Sequence, residues 1–194
     1  MLIVGLGNPG TRYRGTRHNV GRDAVLRLAH RHGLEFPRRQ RFRAHVTDGP
    51  IAGRKRVLAL PETYMNRSGD CVGPMAGFYR FGPGEVLVVH DELDLPFGAV
   101  RLKLGGGTGG HNGLRDIERG LGSRDFGRVR IGVGRPPPPV DPASYVLMRF
   151  REDERELVED VLDRAVDAIE RTLNEGMTVA MNEFNRREKQ KDVT

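Results

Sequence analysis

The stretch LIVGLGNPG, Leu2 to Gly10, runs from apolar residues into a glycine turn. Leu2–Leu6 reads as a strand, and Gly5, Gly7 and Gly10 have the G-x-G-x-x-G spacing of a dinucleotide-binding turn. The spacing recurs at Gly105, Gly107 and Gly110. A dinucleotide turn needs a helix that starts inside the motif, so that its first N–H groups meet the pyrophosphate. Here Asn8-Pro9-Gly10 makes a turn instead, and no helical stripe begins before Val20. No acidic residue closes a second strand about 20 residues further on, where a ribose would be held. The second run continues into His111-Asn112 rather than the Lys-Ser/Thr of a P-loop. Both runs are therefore read as tight turns that aim polar residues, Asn8 and His111-Asn112, beyond the ends of strands.

Outward from this turn, strand and helix patterns alternate. Strands are predicted at Leu2–Leu6, Arg56–Leu60, Val86–His90, Val100–Leu104 and Val129–Val133, with a weaker one at Phe42–Thr47. Leu87, Val88 and Val89 form the continuous apolar run of a central strand covered on both faces. Arg101 and Lys103 alternate with Val100, Leu102 and Leu104, which gives that strand one charged face. Helices are predicted at Val20–His32, Asp70–Phe81, Asn112–Leu121, Asp153–Leu173 and Met177–Asn185. The fourth has Leu157, Val161, Ala165, Ile169 and Leu173 in one stripe, with Asp153 and Glu156 as a capping box. Pro136–Pro139 is a loop, and Ser68 is placed as a helix cap. The fold class is α/β: one three-layer α/β/α domain over residues 1–185, with helices on both faces of a twisted sheet. Residues 186–194 are a charged tail.

A length of 194 residues suits one domain. No apolar run approaches the roughly 20 residues of a membrane span, and the N-terminus lacks a leader pattern. Cys71 is the single cysteine, so no intrachain disulfide forms, and it reads as a small core residue in a cytoplasmic protein. The net charge of +6 is unevenly spread: residues 1–60 carry +10 and residues 151–172 carry −5. The basic part suits a polyanionic partner such as nucleic acid.

Six histidines and a few carboxylates carry the candidate chemistry. His30 and His32 end a helix, His45 lies in the weak strand, and His90 ends the apolar strand as a packed residue. His18 lies in the polar loop Arg17-His18-Asn19, and His111 stands at a helix start. Asp91 follows the most apolar strand, where ligands bind in open α/β sheets. Glu92 beside it reads as a solvent-facing or turn-capping carboxylate. His90-Asp91-Glu92 has no paired-histidine spacing, so no metal is expected. No G-x-S-x-G supplies a serine. A His–Asp pair without a nucleophile points to general-base activation of water. Asn8, Asn19, Asn66 and Asn112 are uncharged donor–acceptor groups suited to a peptide backbone or a ribose.

The motifs VGLGNPG, TRHNVG, YMNRSG, HDELDLPFG and KLGGGTGGHNGLRDI occur in this order. Together they resemble bacterial peptidyl-tRNA hydrolases, over Leu2 to about Gly134; beyond that only the helix pattern is similar. The resemblance implies a mixed, largely parallel sheet. It implies a cytoplasmic, monomeric, metal- and cofactor-independent enzyme that hydrolyses the ester between a peptide and the 3′-terminal ribose of tRNA, recycling the tRNA. On that pattern His18 is the base, Asp91 orients it, and Asn8 favours N-blocked aminoacyl groups. Tyr13, Tyr64, Asn66 and Asn112 match substrate-binding positions, Met65 lines the pocket, and His111 is counted with them. Lys103 and Arg130 match a pair that grips the tRNA 5′-phosphate, with Arg101 nearby. Two alternatives stay open: an RNA-binding module without catalysis, against which His18, Asp91 and Asn112 speak, and a nicotinamide-dependent oxidoreductase.

Overall fold

The computed structural model describes residues 1–186. The tail expected at 186–194 lies, except for Arg186, outside the described residues. Six strands form one sheet: β1 (Leu2–Gly5), β2 (Ala44–Ile51), β3 (Arg54–Pro61), β4 (Val86–Glu92), β5 (Val100–Leu104) and β6 (Gly127–Gly132). The order is β2-β3-β1-β4-β6-β5. The four inner strands are parallel, while β2 pairs antiparallel with β3 and β5 antiparallel with β6. The sheet is thus mixed and largely parallel.

The six helices are α1 (Val20–Arg31), α2 (Gly69–Tyr79), α3 (Asn112–Leu121), α4 (Pro142–Val146), α5 (Arg155–Glu175) and α6 (Met177–Phe184). Alternation along the strands divides the core in two. Ile3, Leu58, Val89, Leu102 and Val129 pack under α1, α5 and α6. Leu2, Val4, Val57, Val88 and Phe126 pack under α2 and α3. The three-layer expectation therefore holds, and Cys71 is buried in the second core.

The charge asymmetry of the sequence resolves inside the molecule. Arg27 of α1 pairs with Glu159 and Asp163 of α5, and Arg31 with Asp163, Asp167 and Glu170. His32 meets Glu170 at 2.8 Å. Much of the basic N-terminal part thus serves to dock α1 on α5. Each exposed pair contributes little, but the shared carboxylates make a network.

Several local expectations are corrected. β2 and β3 are longer than predicted and join through a two-residue turn, Ala52-Gly53, with both residues at positive φ. Alanine there hides the turn, because it is not one of the residues that favour that conformation. α5 begins at Arg155 after a 3₁₀ turn at Glu152–Glu154, and the backbone N–H of Arg151 donates to the Glu154 carboxylate; Asp153 is not a cap. Leu157 is consequently 42% exposed, and the buried stripe starts at Val161. Ser68 precedes α2, but its hydroxyl donates back to the Met65 carbonyl. The Gly69 N–H at the start of α2 is satisfied instead by the Asp116 carboxylate of α3, at 2.7 Å.

Candidate active site

The candidate residues collect at the carboxyl ends of β1 and β4, neighbours in the middle of the sheet. This is where ligands bind in open α/β folds. Gly5 and Gly7 of the first turn serve close packing against α1 and Asn19, while Gly10 supplies a positive φ with open space around it. A Cβ on Gly21 of α1 would lie 2.1 Å from the Val89 carbonyl oxygen, so only glycine lets α1 settle on the end of β4. That contact brings the turn preceding α1, Arg17–Asn19, over Asp91.

His18 Nδ1 lies 2.9 and 3.0 Å from the two Asp91 carboxylate oxygens. Arg17 beside it is a buried anchor. It donates to the Arg149 carbonyl and the Glu154 carboxylate, and its guanidinium lies over the rings of Tyr145 and Phe150. His18 therefore sits on a loop held from both sides. With Nδ1–H donated to Asp91, the lone pair of Nε2 remains for a substrate-side partner.

His111 lines the cleft and has a second part besides. It caps α3: its Nδ1 accepts the backbone N–H groups of Gly113 and Leu114, at 3.1 and 3.3 Å. The ring hydrogen must then sit on Nε2, which lies 3.0 Å from Asp91 Oδ1. One carboxylate thus receives N–H groups from two histidines. Burial alone would push the Asp91 carboxyl up; the attraction of His18 and His111 and their hydrogen bonds win, holding it well below the usual carboxylate range. His90, fully buried behind this pair, is pushed down to about 3 by burial, with His111 adding to the effect, and stays neutral.

His18, Asp91 and His111 offer nitrogen and oxygen atoms within 4.8 Å of one another, close enough to suggest a cation site. The donor set does not fit one. The Nδ1 lone pair of His111 is engaged by two amides, so Nε2 could ligate only as an imidazolate. The cluster is built to hold protons.

Asn8 is also turned to a specific use. Its backbone exchanges hydrogen bonds with the side chain of Asn19, at 2.9 and 3.0 Å. Its side-chain oxygen accepts the Met65 N–H at 2.8 Å. Asn8 therefore presents only its NH₂ to the cleft. The cleft, of about 550 Å³, is lined by Asn8, His18, Tyr64, Met65, Asn66, Asp91, His111 and Asn112, and by Glu92, Leu93, Gly109, Gly110 and Arg135. Tyr64 is 58% exposed, and Tyr13 meets its ring edge-on at a centroid distance of 6.5 Å from outside the lining. Asn66 and Asn112 also face a smaller adjoining cleft with Arg115 and Arg119.

Two features escaped the sequence reading. One is that α4 with its flanks also lines the cleft: Asp141, Pro142, Ala143, Val146 and Leu147. Its signal was present in Asp141-Pro142, because the Asp141 carboxylate accepts the Ser144 N–H and proline opens the helix. The other is Arg128. It is buried and donates to the carbonyls of Gly106 and Gly107 at 2.7 Å, clamping a loop whose Gly105, Gly106, Gly109 and Gly110 have positive φ.

The expected phosphate-binding residues lie outside the cleft, on the β5–β6 edge. Lys103 pairs with Arg128 and Arg101 with Arg130 in register, so the four cations share one face of the sheet. Arg101 donates to the carbonyls of Val100 and Phe184, which ties β5 to α6. Glu92 neither faces solvent nor acts only as a turn cap. It accepts from Asp94 N–H and also from Arg130 Nε, at 3.0 Å.

The family model described as peptidyl-tRNA hydrolase matches residues 2–192, well past the point where the sequence motifs end. A peptidyl-tRNA hydrolase of Mycobacterium avium is 51% identical over 94% of this chain and 95% of its own length. One from Chloroflexus aurantiacus is 50% identical over 95% and 98%. The crystal structure of the peptidyl-tRNA hydrolase from Acinetobacter baumannii superposes with a TM-score of 0.89 at 42% identity, covering 96% of this chain and 95% of that one.

Proposed function

We infer, since this chain belongs to the peptidyl-tRNA hydrolase family and hydrolyses peptidyl-tRNA, that His18 is the general base of the reaction. The observation that carries this is the His18 Nδ1 contact with both oxygens of Asp91. Asp91 holds the imidazole in the tautomer whose Nε2 is free. Nε2 takes a proton from water as the water oxygen attacks the ester carbonyl carbon. The carbon–oxygen bond to the ribose then breaks, the ribose oxygen takes back the proton held on His18 Nε2, and the new carboxylic acid loses its own proton to solvent. The products are a free carboxylate and a tRNA with its terminal hydroxyl restored. Asp91 stays ionised throughout and stabilises the imidazolium. A base so placed contributes on the order of 10²–10⁴-fold, and an activated ester needs no covalent intermediate.

Asn8 offers donors only, because its oxygen is occupied by Met65 N–H. That suits the carbonyl of an N-blocked group and repels a free α-ammonium. Asn66 and Asn112 bind the terminal ribose and the peptide backbone. Tyr64, supported by Tyr13, shares the cleft with α4 and Met65 and holds peptide side chains there. Lys103 and Arg130 grip the 5′-phosphate of the tRNA, with Arg101 adding charge. The site is complete within one chain, which supports action as a monomer. No helix among the described residues is long and apolar enough to cross a membrane. A substrate made by translation supports a cytoplasmic location.

Asp91→Asn tests the pairing. It keeps the shape of the side chain and removes the charge that stabilises imidazolium. Turnover of N-acetyl-aminoacyl-tRNA should fall by at least about 10²-fold in variant protein shown to be folded, with some thermal stability lost because the buried carboxylate accepts from two histidines. Unimpaired turnover would remove Asp91 from the mechanism.

A further inference from the structure

The basic N-terminal part of the chain is not fully used by the docking of α1 on α5. Arg38, Arg39, Arg41 and Arg43 crowd six residues with no acid among them, and all four are exposed. Arg43 reaches Asp70 at 3.5 Å; Arg38, Arg39 and Arg41 have no carboxylate partner among the described residues.

The turn that carries them is an unusual one. Phe42 and Arg43 are consecutive non-glycine residues with φ of 53° and 57°. Side chains at such φ values are strained. Reciprocal backbone hydrogen bonds between Arg41 and Ala44, both 2.9 Å, hold the turn closed. The result is that Phe42 lies 5.2 Å from the ring of Phe78, near the end of α2. The Arg41 guanidinium stands over both rings, 5.3 and 5.1 Å from their centroids. Phe78 is 58% exposed, so it contributes little to the core. The rings fix Arg41 by cation–π contact and leave its N–H edge free.

We propose that the Arg38–Arg43 turn with Phe78 is a second RNA-contact surface, which holds the acceptor arm of the substrate tRNA away from the scissile ester. This rests on the reading of peptidyl-tRNA as substrate and extends it. Charge chooses the occupant, because a row of unpaired guanidinium groups fits the phosphates of RNA. The Phe78 ring fits the apolar side of a ribose in a shallow minor groove. Position agrees. α2 begins just past Asn66 of the cleft and spans 11 residues to Tyr79, about 15 Å along its axis, with the patch against its far end. On the face formed by α2 and α3, Arg115 is a further exposed cation, while Arg67 and Arg119 are paired with Asp70 and Asp116. A stem crossing that face meets cations at both ends.

The test compares wild type with an R38A/R39A/R41A variant, with Phe78→Ala, and with the matching triple lysine variant. Binding of full-length deacylated tRNA is titrated by fluorescence anisotropy across a salt series. Hydrolysis is measured on N-acetyl-aminoacyl-tRNA and on the same ester of a short 3′ oligonucleotide without a stem. The triple alanine variant should bind tRNA about tenfold more weakly at low salt, with the salt slope reduced by about two to three. Its kcat/KM should fall on the full tRNA and stay unchanged on the short ester. Phe78→Ala should show part of the loss, and the lysine variant should recover most of the affinity. An unchanged tRNA affinity and salt slope would overturn the proposal. So would an equal loss of kcat/KM on the full tRNA and on the short ester. A wild type that hydrolyses both substrates equally well would instead overturn the tRNA reading itself, and this surface with it.

Discussion

Glu92 Oε2 accepts a hydrogen bond from Arg130 Nε at 3.0 Å, joining the residue after Asp91 to one jaw of the proposed phosphate clamp. In the free protein Glu92 occupies the place of an anion. A 5′-phosphate must compete with it for Arg130. Removing that phosphate from the substrate should lower kcat/KM for wild type and leave a Lys103→Ala, Arg130→Ala double variant almost unaffected. In Glu92→Gln the same phosphate should be worth more than in wild type, because Arg130 is no longer neutralised. An equal loss on dephosphorylation in all three proteins would reduce this edge to a diffuse field.

His111 joins the cap of α3 to Asp91, and the two roles separate by substitution. Asparagine is a good N-cap but is too short to replace the Nε2 donor. His111→Asn should therefore keep stability within about 1 kcal/mol of wild type by urea unfolding. Its kcat should drop about tenfold, as expected for losing a hydrogen bond to a charged group. An unchanged kcat would leave His111 as a helix cap alone.

Asn8 has its oxygen tied to Met65 N–H, so its selectivity comes from the NH₂ group. Asn8→Ala should narrow the preference for N-acetyl-aminoacyl over free aminoacyl-tRNA, measured as a ratio of kcat/KM. A ratio equal to wild type would assign the discrimination elsewhere, whatever the absolute rate.

Asp23, on the first turn of α1, predicts a pH dependence of stability. Burial pushes its carboxyl from an ordinary 3.8 to about 6; Arg22 opposes the shift and Glu159 adds to it. Below pH 3.8 the group is protonated in both folded and unfolded chains and has no effect. As pH rises through 3.8 to 6 the unfolded chain loses its proton first, so this residue destabilises the fold, fully so above pH 6. Asp23→Asn should be more stable than wild type at pH 7 by about 1–3 kcal/mol. The two should converge near pH 4 in urea unfolding. A difference independent of pH would contradict this origin.

Most of the sheet was legible from apolar runs, because central parallel strands carry their signal in every residue. The edge strand β2 was cut short, since its Asp48, Gly49 and Pro50 are poor strand formers held in place only by pairing with β3. α4 was missed because five residues give no period. In the site, His18, Asp91 and the asparagines were visible as polar residues beside glycine turns. The second histidine on Asp91 was not, because its contact depends on where α3 begins in space. Arg128 stands just outside the strand expected at Val129–Val133, and only the fold turns it into the clamp of the glycine loop.

The central claim is that His18 is the base. His18→Ala removes the imidazole from a half-buried turn anchored by Arg17 and leaves the cationic surfaces intact. Single-turnover hydrolysis of N-acetyl-aminoacyl-tRNA is the direct measurement, with tRNA affinity followed in parallel. The rate should fall by at least about 10²-fold while affinity stays close to wild type. A near-normal rate at saturating protein would contradict the account.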